Sequence, residues 1–244
     1  MKKRKAGIGI FVIVLIITAV RVKSMDSHRI SGRILAENIA GPGMLRLVEQ
    51  SMQSRARKTS VTEIAVKERK HPQAALTFDD GPDIRYTPLL LDGLKERNVR
   101  VSFFLLGEKV EQYPELVERM QKEGHLVGNH TYHHVQLNKL NETKAREEIL
   151  KTNNLIYETT GVYPLYLRPP FGAWKKNLEL CVEMLPVFWT IDTLDWKVQN
   201  TEKIVRTVQE QIEDGAIILM HDEYDTSVEA ALQVVDELMS FCLS

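Results

Sequence analysis

Leu76-Thr77-Phe78-Asp79-Asp80-Gly81-Pro82 is the stretch on which the reading of this 244-residue chain turns. The apolar run from Ala74 to Phe78 has the composition of a buried strand. It stops at two adjacent carboxylates and the turn pair Gly81-Pro82. Neighbouring residues at a strand end point in different directions, so one carboxylate can take a metal while the other handles a proton. Asp-Asp-Gly-Pro is equally ordinary turn chemistry, with Asp capping the bend and Gly supplying a permissive backbone. Both readings are open from these residues alone.

Along the chain, short apolar runs alternate with segments of helical period. Strands are expected at Ala74–Phe78, Val99–Leu106, Leu126–Gly128, Leu165–Leu167, Val187–Ile191 and Ala216–Met220. Helices are expected near 87–97, 109–123, 142–159, 175–185, 201–213 and 228–242. Asn98, Gly124 and Gly161 stand where helix C-caps belong, and Asn141 and Asn200 stand at helix starts. This alternation predicts an α/β fold, a parallel sheet or barrel with its helices outside.

The residues just after each strand are more telling. Asp79 and Asp80 come after the first strand, and Asn129 through His134 after the third. The fourth leads into Arg168-Pro169-Pro170-Phe171-Gly172, the fifth into Asp192-Thr193-Leu194-Asp195-Trp196, and the sixth into His221-Asp222. In a parallel α/β barrel these ends share one face, where active sites are built. A random scatter of loop charges does not place a His or Asp after so many strands. That shifts the reading from turn to site.

His130 and His134 are four residues apart, so one helical turn would put both imidazoles on one face. An independent carboxylate there completes a His, His, Asp set with an open coordination position. The set suits Zn2+; Co2+, Ni2+ and Mn2+ are also compatible. A metal of this kind activates water and polarises a carbonyl, and amide hydrolysis further needs a base and an acid. The carboxylate beside the ligand carboxylate can serve as base and His221 as acid, with Asp192 to orient His221 and Arg168 to hold the base ionised. His133 is read as a structural or substrate-rim residue and His125 as structural.

Composition bounds the rest. At 43% hydrophobic and 27% charged residues the chain is that of a globular protein. Residues 1–72 hold 15 Lys and Arg against 5 Asp and Glu, leaving 17 against 28 in the remainder. So acidic a body is not that of a nucleic-acid binder. Lys2-Lys3-Arg4-Lys5 precedes an apolar run from Ala6 to Val20 that is shorter than the ~20 residues of a comfortable span. Arg21 can snorkel, and no small-residue cleavage site comes after it. An uncleaved signal anchor over 1–23 is expected, with a cleaved signal peptide as the alternative. Either exports the body. Residues 24–72 read as a stalk or linker. Cys181 and Cys242 sit at apolar helix-like positions and read as buried free thiols.

Together these residues resemble the polysaccharide deacetylase family, the NodB-homology group of carbohydrate esterase family 4, over residues 73–244, with five motifs in family order. Thr77-Phe78-Asp79-Asp80-Gly81-Pro82 matches the first, which implies Asp79 as catalytic base and Asp80 as metal ligand. His130-Thr131-Tyr132-His133-His134 matches the second and implies His130 and His134 as the other ligands. Arg168-Pro169-Pro170-Phe171 resembles the third, with Arg168 positioning the base and the Phe171 N–H binding the oxyanion. Asp192-Thr193-Leu194-Asp195-Trp196 resembles the fourth, with Asp192 tuning the acid and Trp196 lining an acetyl pocket. Leu219-Met220-His221 matches the fifth, with Leu219 in the pocket and His221 as general acid.

The resemblance implies a distorted (β/α) barrel with fewer than eight repeats and parallel strands, here preceded by an N-terminal membrane-anchor helix. It implies metal-dependent removal of acetyl from N-acetylglucosamine units of a polymer. The form of the motifs is most like peptidoglycan deacetylases. A monomer held at the cell membrane, with its catalytic domain outside and acetylated glycan as partner, is expected; secretion after signal cleavage is the alternative. An O-acetyl xylan esterase, a chitin-oligosaccharide deacetylase and a non-catalytic wall-binding protein are the competing functions. Relatives usually continue into a final strand with an aromatic, whereas this sequence stops at Ser244, which bears on stability rather than on the site.

Overall fold

A computed structural model of the chain describes residues 72–174 and 184–243. The expected anchor, the expected stalk up to His71, Cys181 and most of the helix expected at 175–185 lie outside these residues. Among the described residues no helix is long and apolar enough to cross a membrane.

The elements alternate as the apolar periods predict. In chain order they are β1 (Ala74–Asp79), α1 (Tyr86–Glu96), β2 (Ser102–Leu105), α2 (Gly107–Gln112), α3 (Pro114–Lys122), β3 (Leu126–Asn129) and α4 (Glu142–Thr160). Then come β4 (Tyr166–Leu167), β5 (Leu185–Pro186), β6 (Ile191–Asp192), α5 (Asp195–Val198), α6 (Thr201–Gln211), β7 (Ala216–His221) and α7 (Asp225–Leu243). The seven strands form one curled, all-parallel sheet in the order β5-β4-β3-β2-β1-β7-β6. It is a half-barrel, in keeping with fewer than eight repeats.

Strand β1 lies inside the sheet, with β2 on one side and β7 on the other. Its successive side chains are buried on both faces of the sheet, and a strand covered in this way reads as a continuous apolar run rather than an alternating one. Its pairing with β7 runs in register from Ala74↔Ala216 to Asp79↔His221. The last carboxylate of β1 and the last imidazole of β7 therefore end at the same level. On the other side Asn129 pairs with Leu167, so His130 and Arg168 leave adjacent strands together.

The helices pack on the sheet through their apolar stripes. Leu90, Leu91 and Leu94 of α1 are fully buried with Phe78, Phe103, Ile218 and Met220, each contributing on the order of 1.5–3 kcal/mol of burial energy. Asn141 and Asn200 cap α4 and α6, their side chains accepting from Lys144 N at 2.9 Å and Lys203 N at 3.0 Å. Asn98, Gly124 and Gly161 all take positive φ, which the end of a helix requires.

Three elements differ from expectation. The helix expected at 109–123 is two helices, because Pro114 lacks an N–H and forces Tyr113 (φ −132°, ψ 56°) out of the helical region. Val187–Ile191 is not a strand except at its end; Ile191–Asp192 is. A short strand at Leu185–Pro186 lies at the sheet edge, where a proline without a donor is tolerated.

Candidate active and metal site

The polar strand ends converge at one end of the sheet. Asp79 finishes β1 almost fully buried, and Asp80 leaves it with φ 68°. That left-handed step aims the two carboxylates differently, and Asp accepts it more readily than most residues. A Cβ at Gly81 would collide with the buried Asp222 carboxylate, so no larger residue fits the bend. Asp222 accepts a short hydrogen bond from Thr87 Oγ1, and burial pushes its carboxyl up to about 7.

Arg168 has no exposed surface. Its Nη1 donates to Asp79 Oδ1 and to Thr77 Oγ1, both at 2.7 Å, and its guanidinium lies 4.2 Å from the centre of the Phe104 ring. Thr77 Oγ1 donates in turn to Ile218 O at 2.7 Å. A buried charge needs such a partner. The arginine therefore holds Asp79 in place and leaves Oδ2 toward His130 Nε2, 3.7 Å away.

His130 Nδ1 meets the Arg168 carbonyl at 2.6 Å. A carbonyl only accepts, so Nδ1 carries the proton and Nε2 presents a lone pair. Nε2 of His130 lies 3.3 Å and Nε2 of His134 3.4 Å from Asp80 Oδ1. Among the described residues this buried oxygen has no hydrogen-bond donor. Ligand atoms about 2.1 Å from a common tetrahedral ion stand about 3.4 Å apart. The three atoms lie within 4.8 Å of one another, and both the spacing and the orphaned oxygen fit a divalent ion.

The helical turn expected to align His130 with His134 is absent. Residues 130–134 form an irregular loop, with Thr131 at φ 67° and His134 at φ 55°. The left-handed residues replace the helix as the device that brings the rings together, at 5.0 Å between centroids.

His221 differs from expectation in its partner. Its Nδ1 bonds Asp195 Oδ1 at 2.8 Å, not Asp192. Asp195 is fully buried, and its Oδ2 also accepts from His221 N and Ser227 Oγ, both at 2.7 Å. Asp192 instead accepts from Leu194 N at 3.0 Å. Leu194, at φ 52°, turns the chain so that the second carboxylate of the pair, not the first, falls beneath the imidazole. Burial alone lowers the His221 pKa, but the hydrogen bond and charge of Asp195 outweigh it and raise the value to about 9. His221 Nε2 is left 3.8 Å from Asp80 Oδ2.

Leu219 is buried on β7, in register with Asp192. Trp196 comes directly after Asp195 on α5 and is half exposed. Phe171, at φ 60°, is exposed and places its ring 4.5 Å from that of His134. His125 is buried and structural, as expected. Its Nδ1 accepts from Val101 N at 3.1 Å, and burial brings its pKa down to about 4. His133 is exposed and bonds Glu148 at 2.7 Å. Thr77, Ser227 and Glu148 carry no strand-end signal. Thr77 lies two residues before Asp79 on the same strand, which is a signal of position; the other two come from helices distant in sequence.

Known proteins share this architecture. The family profile described as polysaccharide deacetylase matches residues 66–188. A peptidoglycan-N-acetylglucosamine deacetylase of Bacillus cereus is 39% identical over 170 residues, covering 68% of this chain and 62% of that protein. The peptidoglycan-N-acetylmuramic acid deacetylase PdaC of Bacillus subtilis is 41% identical over 164 residues, covering 67% of this chain and 35% of its own. The chain thus spans less than two thirds of either protein's length. A solved structure of PdaC superposes with a TM-score of 0.68 at 39% identity, over 70% of this chain and 85% of that one.

Proposed function

The chain belongs to the polysaccharide deacetylase family, and from that premise we propose that it hydrolyses N-acetyl groups of a glycan polymer, releasing acetate. The observation that carries this is the orphaned Asp80 Oδ1, faced by two imidazole nitrogens and flanked by Asp79 and His221. Asp80, His130 and His134 would hold a divalent ion, Zn2+ by the mixed nitrogen and oxygen donor set. When bound, that ion supplies Lewis acidity, making water a better nucleophile and the acetyl carbonyl a better electrophile.

The chain's own residues divide the proton work. Asp79 Oδ2, left free because Arg168 holds Oδ1, accepts the proton of the attacking water. As water oxygen bonds to the acyl carbon and the C–N bond breaks, His221 Nε2 delivers a proton to the departing nitrogen. The sugar leaves as an amine and the acyl group as acetate. Asp195 fixes the His221 tautomer, and its hydrogen bond and charge raise the imidazole pKa and so favour the protonated, acid form. The Phe171 N–H is the donor proposed for the developing oxyanion, and Leu219 with Trp196 the apolar lining for the methyl group.

The polymer we propose is peptidoglycan and the sugar N-acetylglucosamine, in line with the Bacillus cereus relative. The basic and apolar N-terminus supports a signal anchor with the domain outside the membrane. Residues 73–244 would be the catalytic domain on a 24–72 stalk. Treating purified wall glycan with the full chain and analysing the digested fragments by mass spectrometry tests the reading. Loss of an acetyl mass from the N-acetylglucosamine residue is expected, and it should depend on added metal. Unchanged glycan and chito-oligomers, with metal bound, would overturn it; loss from acetylated xylan alone would mark an esterase.

A further inference from the structure

The loop between the two imidazole ligands is held against its own backbone preference. Thr131 and His134 both occupy the left-handed region, which residues bearing a Cβ disfavour. Hydrogen bonds from two helices hold it there. On one side the first turn of α2 takes its carbonyls: Gly107 N donates to Thr131 O at 2.9 Å and Glu108 N to Tyr132 O at 3.3 Å. On the other side Glu148 reaches in from α4. Its Oε2 accepts from Tyr132 N at 3.1 Å and from His133 N at 2.9 Å, while Oε1 meets His133 Nδ1 at 2.7 Å. Between them the Tyr132 ring is buried, its hydroxyl bonded to Glu111 and its face covered by Lys151 Nζ at 3.4 Å.

We infer that Glu148 is a positioning residue for the metal site. Its carboxylate clamps the backbone between His130 and His134 and so sets the spacing of their Nε2 atoms. Its hydrogen bonds go to the N–H groups of Tyr132 and His133 and to the His133 ring, between the two ligands rather than to them. This inference rests on Asp80, His130 and His134 being the metal ligands. The geometry specifies which replacement preserves the function. Glutamine keeps the reach, one oxygen for the two N–H groups and an amide to donate to His133 Nδ1. Aspartate keeps the charge but is one methylene short.

The test is competition for Zn2+ between a chromophoric chelator and the purified full chain, wild type against E148Q, E148D and E148A, beside thermal unfolding of the metal-free proteins. E148D and E148A should weaken Zn2+ binding by about 10-fold or more, the usual scale for a residue supporting a ligand, while E148Q stays close to wild type. If E148A does not fold, the contrast between E148Q and E148D still decides. Wild-type affinity in E148D and E148A, with or without a lowered unfolding temperature, would overturn the clamp and leave Glu148 a fold-docking residue. An E148Q as weak as E148D would also overturn it, since charge and not reach would then matter. A wild-type chain that binds no Zn2+ would overturn the metal reading itself.

Discussion

His130 and His221 approach different oxygens of the Asp80 carboxylate, each mostly buried and each with Nδ1 committed to a hydrogen bond. The acceptor for His130 is a backbone carbonyl at 2.6 Å; for His221 it is a buried carboxylate at 2.8 Å. A carbonyl fixes the tautomer and leaves Nε2 with its lone pair, which is what a metal ligand needs. A carboxylate adds charge to the same geometry and holds the ring protonated, raising the pKa to about 9 against the opposing effect of burial. In the proposed mechanism one side chain type does two jobs, and the difference lies in what sits behind the ring.

Removing each ring should have different consequences. His130→Ala should abolish Zn2+ binding and with it acetate release. His221→Ala should keep Zn2+ binding and lower kcat by about 10²–10⁴-fold, the range of general acid–base catalysis. Chelator competition beside acetate release separates the two, and equal loss of metal in both variants would erase the distinction. Arg168→Ala comes next. It takes from His130 nothing that a backbone carbonyl supplies, but it strands Asp79 as a buried unpaired carboxylate. A loss of about 3–5 kcal/mol in chemical unfolding is expected, with activity falling alongside.

Asp195→Asn turns the His221 environment toward that of His130. His221 acts as acid only while protonated, so activity falls as pH rises through its pKa. Replacing the carboxylate should move the alkaline limb of the kcat profile to lower pH, and reduce the maximum by about 10–100-fold. Asp192→Asn, which leaves the His221 partner untouched, should not move the limb. The smallest effect is expected away from the site. Asn200→Ala removes the N-cap of α6 and should cost about 1 kcal/mol of stability, with the pH profile unchanged.

The fold was legible in the sequence where burial made a strand continuously apolar, as in β1 and β7, and the site where a reactive residue came after such a strand. That logic located Asp79, Asp80, His130, His134, Arg168 and His221. It failed where backbone handedness rather than order along the chain decides direction. Leu194 in the left-handed region hands His221 to Asp195 instead of Asp192. Thr131 and His134 in the same region build with a loop what the spacing of the histidines assigns to a helix. Supporting contacts were hidden for a second reason: Ser227 and Glu148 reach the site from helices, as polar residues on otherwise ordinary periods.

The protonation contrast is most directly read by nitrogen-15 NMR titration of the His221 imidazole in the metal-free full chain, beside Asp195→Asn. Metal must be absent, since a nearby divalent cation would itself pull the value down. A midpoint near 9 in the wild type that falls in Asp195→Asn is the expected result. A wild-type midpoint at or below the ordinary histidine value of about 6.5, or one that Asp195→Asn leaves in place, would contradict it.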